Sequence, residues 1–206
     1  MNMQLAAQLN SLLAALILLT AFAMLAQRKK LAILHLFAWQ GFFLSLSTAI
    51  VGFVAKSHHL YISSLLTLTL KVILLPYILH VLMRKLKIRK EVETVVNVPA
   101  TMLMGIVLVI FSYHLTAPIR ELSTLVTRST IAVALATVML GLLMMITRKH
   151  AVTQIIGFLA MENGLFFAAT SATYGMPLVV ELGVALDVLV GTFIFGIFFF
   201  HIRDTF

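Results

Sequence analysis

Four ionisable side chains lie inside stretches that are otherwise apolar enough for lipid. They are Lys71 within Tyr61–Met83, Glu162 within Ala151–Thr173, and Glu181 and Asp187 within Pro177–Phe200. A charge at membrane depth is costly, so an intramembrane acid or base is by default a functional candidate. The chemistry open to such groups is proton or cation transfer. A carboxylate facing a protein interior can be held neutral by burial or charged by a nearby cation, and alternation between the two states is a relay. A desolvated lysine can serve as its base. Structural alternatives stand beside each reading: Lys71 paired with a carboxylate of a neighbouring subunit, a permanently protonated and hydrogen-bonded Glu162, and an Asp187 that only packs.

Local spacing adds supporting groups. Ser64, Thr67 and Lys71 fall at i, i+3 and i+7, which predicts a polar stripe on one helical face. Pro76 follows, lacking an N–H, so the helix is expected to kink or open just beyond the lysine, freeing the carbonyl of Val72. Asn163 lies about 100° around the helix from Glu162, so the two point to different neighbours, whereas Asn163 and Thr170, seven apart, share a face. Gly183 and Gly191 flank Asp187 one turn to either side, where small residues admit water or a close helix. Glu181 lies nearer the outer end of its span. Glu162 and Asp187 are each about ten residues into their segments, hence at similar depth at about 1.5 Å per residue.

The elements that must hold these groups follow from composition. Hydrophobic residues make up 62% of the 206-residue chain and charged ones 11%, with a mean hydropathy of +1.10; such a chain is an all-α polytopic membrane protein. A spanning helix takes roughly 20 apolar residues, and seven segments qualify: Leu5–Leu25, Leu31–Val54, Tyr61–Met83, Val98–Leu115, Thr130–Ile146, Ala151–Thr173 and Pro177–Phe200. The loops between them are too short for a soluble core. The first segment lacks a basic leader and is expected to stay as a span.

The net charge of +8 reports topology rather than nucleic-acid binding. Eleven basic residues follow the first, third, fifth and seventh segments, against Lys56, Arg120 and Arg128 on the other side. By the positive-inside rule the amino terminus is outside and the carboxyl terminus inside. The charged stretch Arg84–Asn97 divides residues 1–97, three spans with a basic loop, from residues 98–206, four spans. Tyr174–Pro177 is short enough to force the last two helices antiparallel and adjacent. The chain has no Cys and so no thiolate-held cluster or redox switch of its own. His35 and His80 could be weighed as haem ligands, but helix-end histidines are more often interfacial; no cofactor and no metal are expected.

A resemblance rests on particular residues. The run Arg148-Lys149-His150, Gln154–Phe158 and Met161–Gly164, followed by Val180–Gly183 and Ala185–Asp187, together with Lys71–Pro76, resembles the E component of hydrogenase-4, a membrane subunit of energy-converting NiFe hydrogenases related to complex I. Residues 129–206 are in turn similar to the K subunit of complex I and the C subunit of Mrp antiporters. Gly157 and Asn163 match that smaller pattern. Its second-helix carboxylate stands where this chain has Leu159, with Glu162 three residues later on nearly the same face, and its third-helix carboxylate falls on Asp187.

The resemblance implies a non-catalytic subunit of a membrane arm in the cytoplasmic (inner) membrane. Its partners would be antiporter-like subunits of the L, M and N types and an H-type subunit, with a hydrogenase peripheral arm performing the redox reaction. Glu162, Asp187, Lys71 and Glu181 would line a proton or sodium path. A structural scaffold between antiporter-like neighbours is the alternative, and a stand-alone transporter is weakened by the lack of an internal repeat.

Overall fold

The computed structural model describes residues 3–85, 92–118 and 130–173. Glu181, Gly183, Asp187, Gly191 and the seventh expected span lie outside the described residues. The fold is all-α and polytopic: among the described residues, six helices are long and apolar enough to cross a membrane. They are α1 (Met3–Ala26), α2 (Lys30–Ala55), a composite third span, α5 (Val98–Leu115), α6 (Thr130–Thr147) and α7 (Ala151–Thr173). The third span comprises α3 (His58–Thr67), a π-helical segment Leu68–Leu74 and α4 (Leu75–Lys85).

That π-helical segment is where the expectation of a proline break is met, though in an altered form. The widened turn lies on the amino-terminal side of Pro76 and contains Lys71 itself, with the N–H of Leu75 reaching back five residues to the carbonyl of Leu70. Proline has no N–H and its ring crowds the carbonyl four residues earlier; widening the turn relieves that clash within the helix. Each residue of a wider turn advances less around the axis than in an α-helix. Lys71 consequently aligns with Ser63 and Thr67, all three buried, whereas Ser64 is only partly buried at the edge of that face. The Ser64–Thr67–Lys71 stripe is corrected to Ser63–Thr67–Lys71.

Helix ends follow local chemistry. Pro99 sits in the first turn of α5, where a missing N–H costs nothing. Lys56 closes α2 in the left-handed conformation, with φ 51° and its N–H on the carbonyl of Gly52.

Packing joins the two expected regions into one bundle. The α6–α7 pair is the most extensive, α1 and α2 run side by side, α1 also packs on α6, and α2 on α7. A contiguous apolar core takes Met24 and Leu25 from α1, Ile33 and Phe37 from α2, Leu79 from α4 and Ile156 from α7. By contrast α5 buries only Thr101, Gly105 and Ser112.

One end of the bundle gathers the basic turns. There Val92 N–H donates to Arg28 O (2.8 Å), Val95 N–H to Thr147 O (2.8 Å) and Lys149 N–H to Glu93 O (3.2 Å). Thr94 and Arg148 form an isolated antiparallel bridge. The stretch Val92–Asn97 is thus laced across the turns that precede α2 and α7.

Candidate functional site: a buried ion pair at mid-bundle

Two glycine contacts set the stage for the charges. A Cβ on Gly141 would lie 2.6 Å from the backbone N of Met161, so α6 and α7 meet backbone to backbone, as small residues allow at membrane helix interfaces. This fixes α7 in depth and rotation at the residue before Glu162. On the opposite side, a Cβ on Gly41 would lie 3.2 Å from Lys71 Cβ. The π-helical segment is therefore drawn tight against α2.

Between these contacts Lys71 Nζ approaches Glu162 Oε1 at 3.4 Å, with side-chain exposures of 1% and 3%. The lysine finds its carboxylate within its own chain, rather than on a neighbouring subunit. Phe166, one turn beyond Glu162, places its ring centroid 5.6 Å from the ammonium nitrogen, within range of a cation–π attraction. In a low-dielectric interior neither charge is tolerable without the other. The pair has no net charge as ammonium and carboxylate, and none if the proton passes from one to the other.

Asn163 turns to a different helix, as its position a step around the axis requires. Its Nδ2 donates to Gln40 Oε1 at 3.0 Å, and Gln40 Nε2 donates to the carbonyl of Ile17 at 3.5 Å. Adjacent residues of α7 thereby bind α3's extension and α2 separately. Thr170 is buried too, but its hydroxyl donates to its own helix at Phe166 O, 3.0 Å.

Buried polar groups continue from this level toward the amino-terminal end. Ser45 Oγ donates to Ser64 O at 2.8 Å and lies 3.1 Å from Ser64 Oγ. Ser47 bonds Asn10. Thr48 donates to Leu44 O at 2.9 Å. From the pair toward the basic end the interior is instead apolar, through Leu75, Leu79 and Leu82 of α4 against Leu159 and Ile156 of α7.

At the basic end two further basic side chains are buried, Lys30 and Arg148. Arg148, 1% exposed, donates through Nη2 to the carbonyls of Met24 (3.1 Å) and Leu25 (2.7 Å). Those are carbonyls of the last turn of α1, which lack partners within the helix. Burial pushes the guanidinium below its ordinary value, yet arginine remains a cation at neutral pH. Glu93 lies 4.0 Å from His150 over the same turns.

Of the expected site residues, Lys71, Glu162, Asn163 and Thr67 are buried around one level, and Ser64 joins through Ser45. Pro76 acts by shaping the turn that carries Lys71. The sequence reading passed over Gln40, Asn10, Ser63 and Arg148. The first three are polar residues at span positions, a weaker version of the signal that exposed Glu162; Arg148 stands in a basic turn that marks sidedness and in the run that carries the resemblance, and neither points to the carbonyls it holds.

No protein-family model matches the chain, and no solved structure matches it. Uncharacterized protein Rv0085 of Mycobacterium tuberculosis is 32% identical to it over 191 residues, covering 92% of this chain and 87% of that protein. The chain belongs to the same family as Rv0085.

Proposed function

We propose that the chain is a non-catalytic membrane-arm subunit of an energy-converting, complex I-like hydrogenase. In this reading it resides in the cytoplasmic membrane, beside antiporter-like and H-type subunits, and contributes to a proton or sodium path. The observation that carries it is the Lys71–Glu162 pair, 3.4 Å apart and shut off from solvent at mid-bundle. A soluble or purely packing helix bundle has little use for such a pair. Replacing a buried ion pair by apolar residues is often neutral or stabilising, so stability alone is a weak account of its presence. A pair whose net charge is unchanged by internal proton transfer is suited to pass a proton while keeping charge out of lipid. Asp187 would be the next acid on the path. The resemblance of Met161–Gly164 and Lys71–Pro76 to hydrogenase-4 component E supplies the assembly.

The test is redox-driven ion pumping in inverted vesicles carrying Glu162→Gln or Lys71→Met, with complex content measured alongside. The expected result is loss of pumping in assembled complexes; full pumping in normally assembled complexes sinks the relay. Isolation in mild detergent through a tag on this chain is expected to bring antiporter-like and hydrogenase-like subunits with it. The scaffold reading draws on the apolar face of α5, where Leu103, Val107 and Ile110 are exposed. It predicts loss of assembly before any loss of coupling.

A further inference from the structure

We infer that the groove between α1 and α5 holds one acyl chain of a phospholipid. Among the described residues a cavity of about 430 Å³ opens there. Along α1 its wall includes Ser11, Ala14, Leu18 and Phe22, which fall at i, i+3, i+7 and i+11 on one helical face. Along α5 the wall includes Ile106, Ile110 and Tyr113, at i, i+4 and i+7, and Val133 of α6 joins the lining. The cavity exists because α5 rests chiefly on α6 and only lightly on α1. Of the six described spans, α5 is also the least buried.

Two features confine the groove to one leaflet. Toward the basic turns it is closed at Gly105, where a Cβ would lie 3.1 Å from Phe22, 3.2 Å from Leu140 and 3.3 Å from Leu25. At that level α5 touches both α1 and α6, and no chain passes. The 18 residues of α5 extend about 27 Å at about 1.5 Å each, close to the thickness of a hydrocarbon core. Ile106 stands at the middle of that helix and Tyr113 near its carboxyl end. The groove therefore runs from the midplane toward the interface remote from the basic turns, in the outer leaflet by the positive-inside rule. Tyr113 stands near the level at which tyrosine meets headgroups.

Size and lining choose the occupant. The rise from Ile106 to Tyr113 is about 10 Å and from Ser11 to Phe22 about 16 Å. A volume of 430 Å³ spread over those lengths leaves a cross-section of about 27–43 Å². A partner helix, about 10–12 Å across, needs about 80 Å² or more. An alkyl chain, whose carbons keep about 4 Å from their neighbours, needs roughly 20 Å². The chain of one leaflet spans half the hydrocarbon core, about 15 Å, which is the length of the groove. Water is a poor occupant, because only Ser11 and Tyr113 bring polar side chains to the lining and apolar cavities stay dry. Lipid tails are as apolar as leucine, so what retains the chain is packing: two walls of dispersion contacts that fluid neighbours do not supply. The inference is independent of the ion path, since neither Lys71 nor Glu162 lines the groove.

The test takes the full chain in mild detergent, washes it with excess detergent and weighs it intact by native mass spectrometry. The parent is expected to keep a single phospholipid through washes that strip the rest. Ala15→Phe and Ile110→Phe each put a ring into the lining, and either carries the test if the other fails to fold. In both, the lipid-bound fraction is expected to fall by about tenfold or more, because a close-packed site admits no second occupant. Val107→Phe, on the exposed face of α5 and outside the lining, is expected to keep the lipid as the parent does. Position is read in vesicles of phosphatidylethanolamine and phosphatidylglycerol, with a phosphatidylethanolamine carrying a diazirine midway along one acyl chain. Its adducts are expected on α1 from Ser11 to Phe22 and on α5 from Ile106 to Tyr113, and to vanish there in Ala15→Phe while those on Val107 and Leu103 persist. A parent that retains no phospholipid, equal retention in the parent and both filling variants, or a prenyl-tailed quinone retained in its place each overturns the inference.

Discussion

Breaking the Lys71–Glu162 pair one member at a time, and then both together, measures whether it is a true pair. At 3.4 Å the gross attraction is about 5 kcal/mol for an effective dielectric near 20. Desolvating both groups consumes much of that gain. The informative quantity is therefore the cost of stranding one charge. Glu162→Gln leaves an ammonium among α2, α7 and the Phe166 ring, and Lys71→Met leaves a carboxylate there; each is expected to cost about 3–5 kcal/mol. For a chain of this length roughly 2–4 °C of midpoint accompanies each kcal/mol, so each single variant drops by about 10 °C. The double variant Lys71→Met/Glu162→Gln strands nothing, since methionine follows the lysine stem and glutamine keeps the glutamate shape. It is expected to lie within about 1 kcal/mol of the parent, making the coupling term nearly as large as the two single effects together. The assay is thermal unfolding in one detergent followed by size-exclusion of surviving protein, on all four chains. Additive losses, with the double variant falling by the sum of the singles, refute the pairing and with it the relay.

The glycine contact predicts a second effect: Gly141→Ala puts a Cβ 2.6 Å from Met161 N, forcing α7 and Glu162 aside. A midpoint lower by at least the equivalent of about 1–3 kcal/mol is expected, while Gly105→Ala, whose nearest neighbours are side-chain tips at 3.1–3.3 Å, should cost visibly less. Arg148→Lys keeps the charge but cannot hold Met24 O and Leu25 O from one planar nitrogen; a loss of about 1.5–3 kcal/mol is expected, with faster proteolysis at the α1–α2 turn. Lys56→Gly removes a side chain from a left-handed residue at φ 51° and is expected to raise the midpoint by the equivalent of about 1 kcal/mol; a lower midpoint contradicts the assigned cap.

The six described spans were legible because lipid demands long apolar helices, and composition states that demand outright. Glu162 and Lys71 were legible by the same demand, as its violations. Their partnership was not. Which helix faces which depends on contacts such as Gly141 on Met161 and Gly41 on Lys71, and a glycine in a sequence does not name the backbone it admits. The Pro76 disturbance was readable from chemistry, but its direction along the helix was not: a missing N–H can be absorbed by a kink or by a wider turn, and the wider turn changes which serine lines up with Lys71. Arg148 shows a different blindness. Its place in a basic turn is fully accounted for by topology, and nothing in the local sequence names the carbonyls of Met24 and Leu25 that it holds.

Placement of the pair at the border between two kinds of interior is itself an argument about mechanism. A buried ion pair surrounded wholly by apolar side chains would leave lone pairs and N–H groups unmet, at a cost that good geometry alone seldom offsets. Surrounded wholly by polar side chains, it would sit in a continuous wire across the membrane and leak. Here Gln40, Asn163 and the serines lie at its level or toward the amino-terminal end, and Leu75, Leu79, Leu159 and Ile156 on the other. Both members are also pinned at the backbone, Lys71 by Gly41 and the turn before Glu162 by Gly141. The border is therefore held by packed helices, and a change at the pair must begin in side-chain rotamers or in the position of a proton.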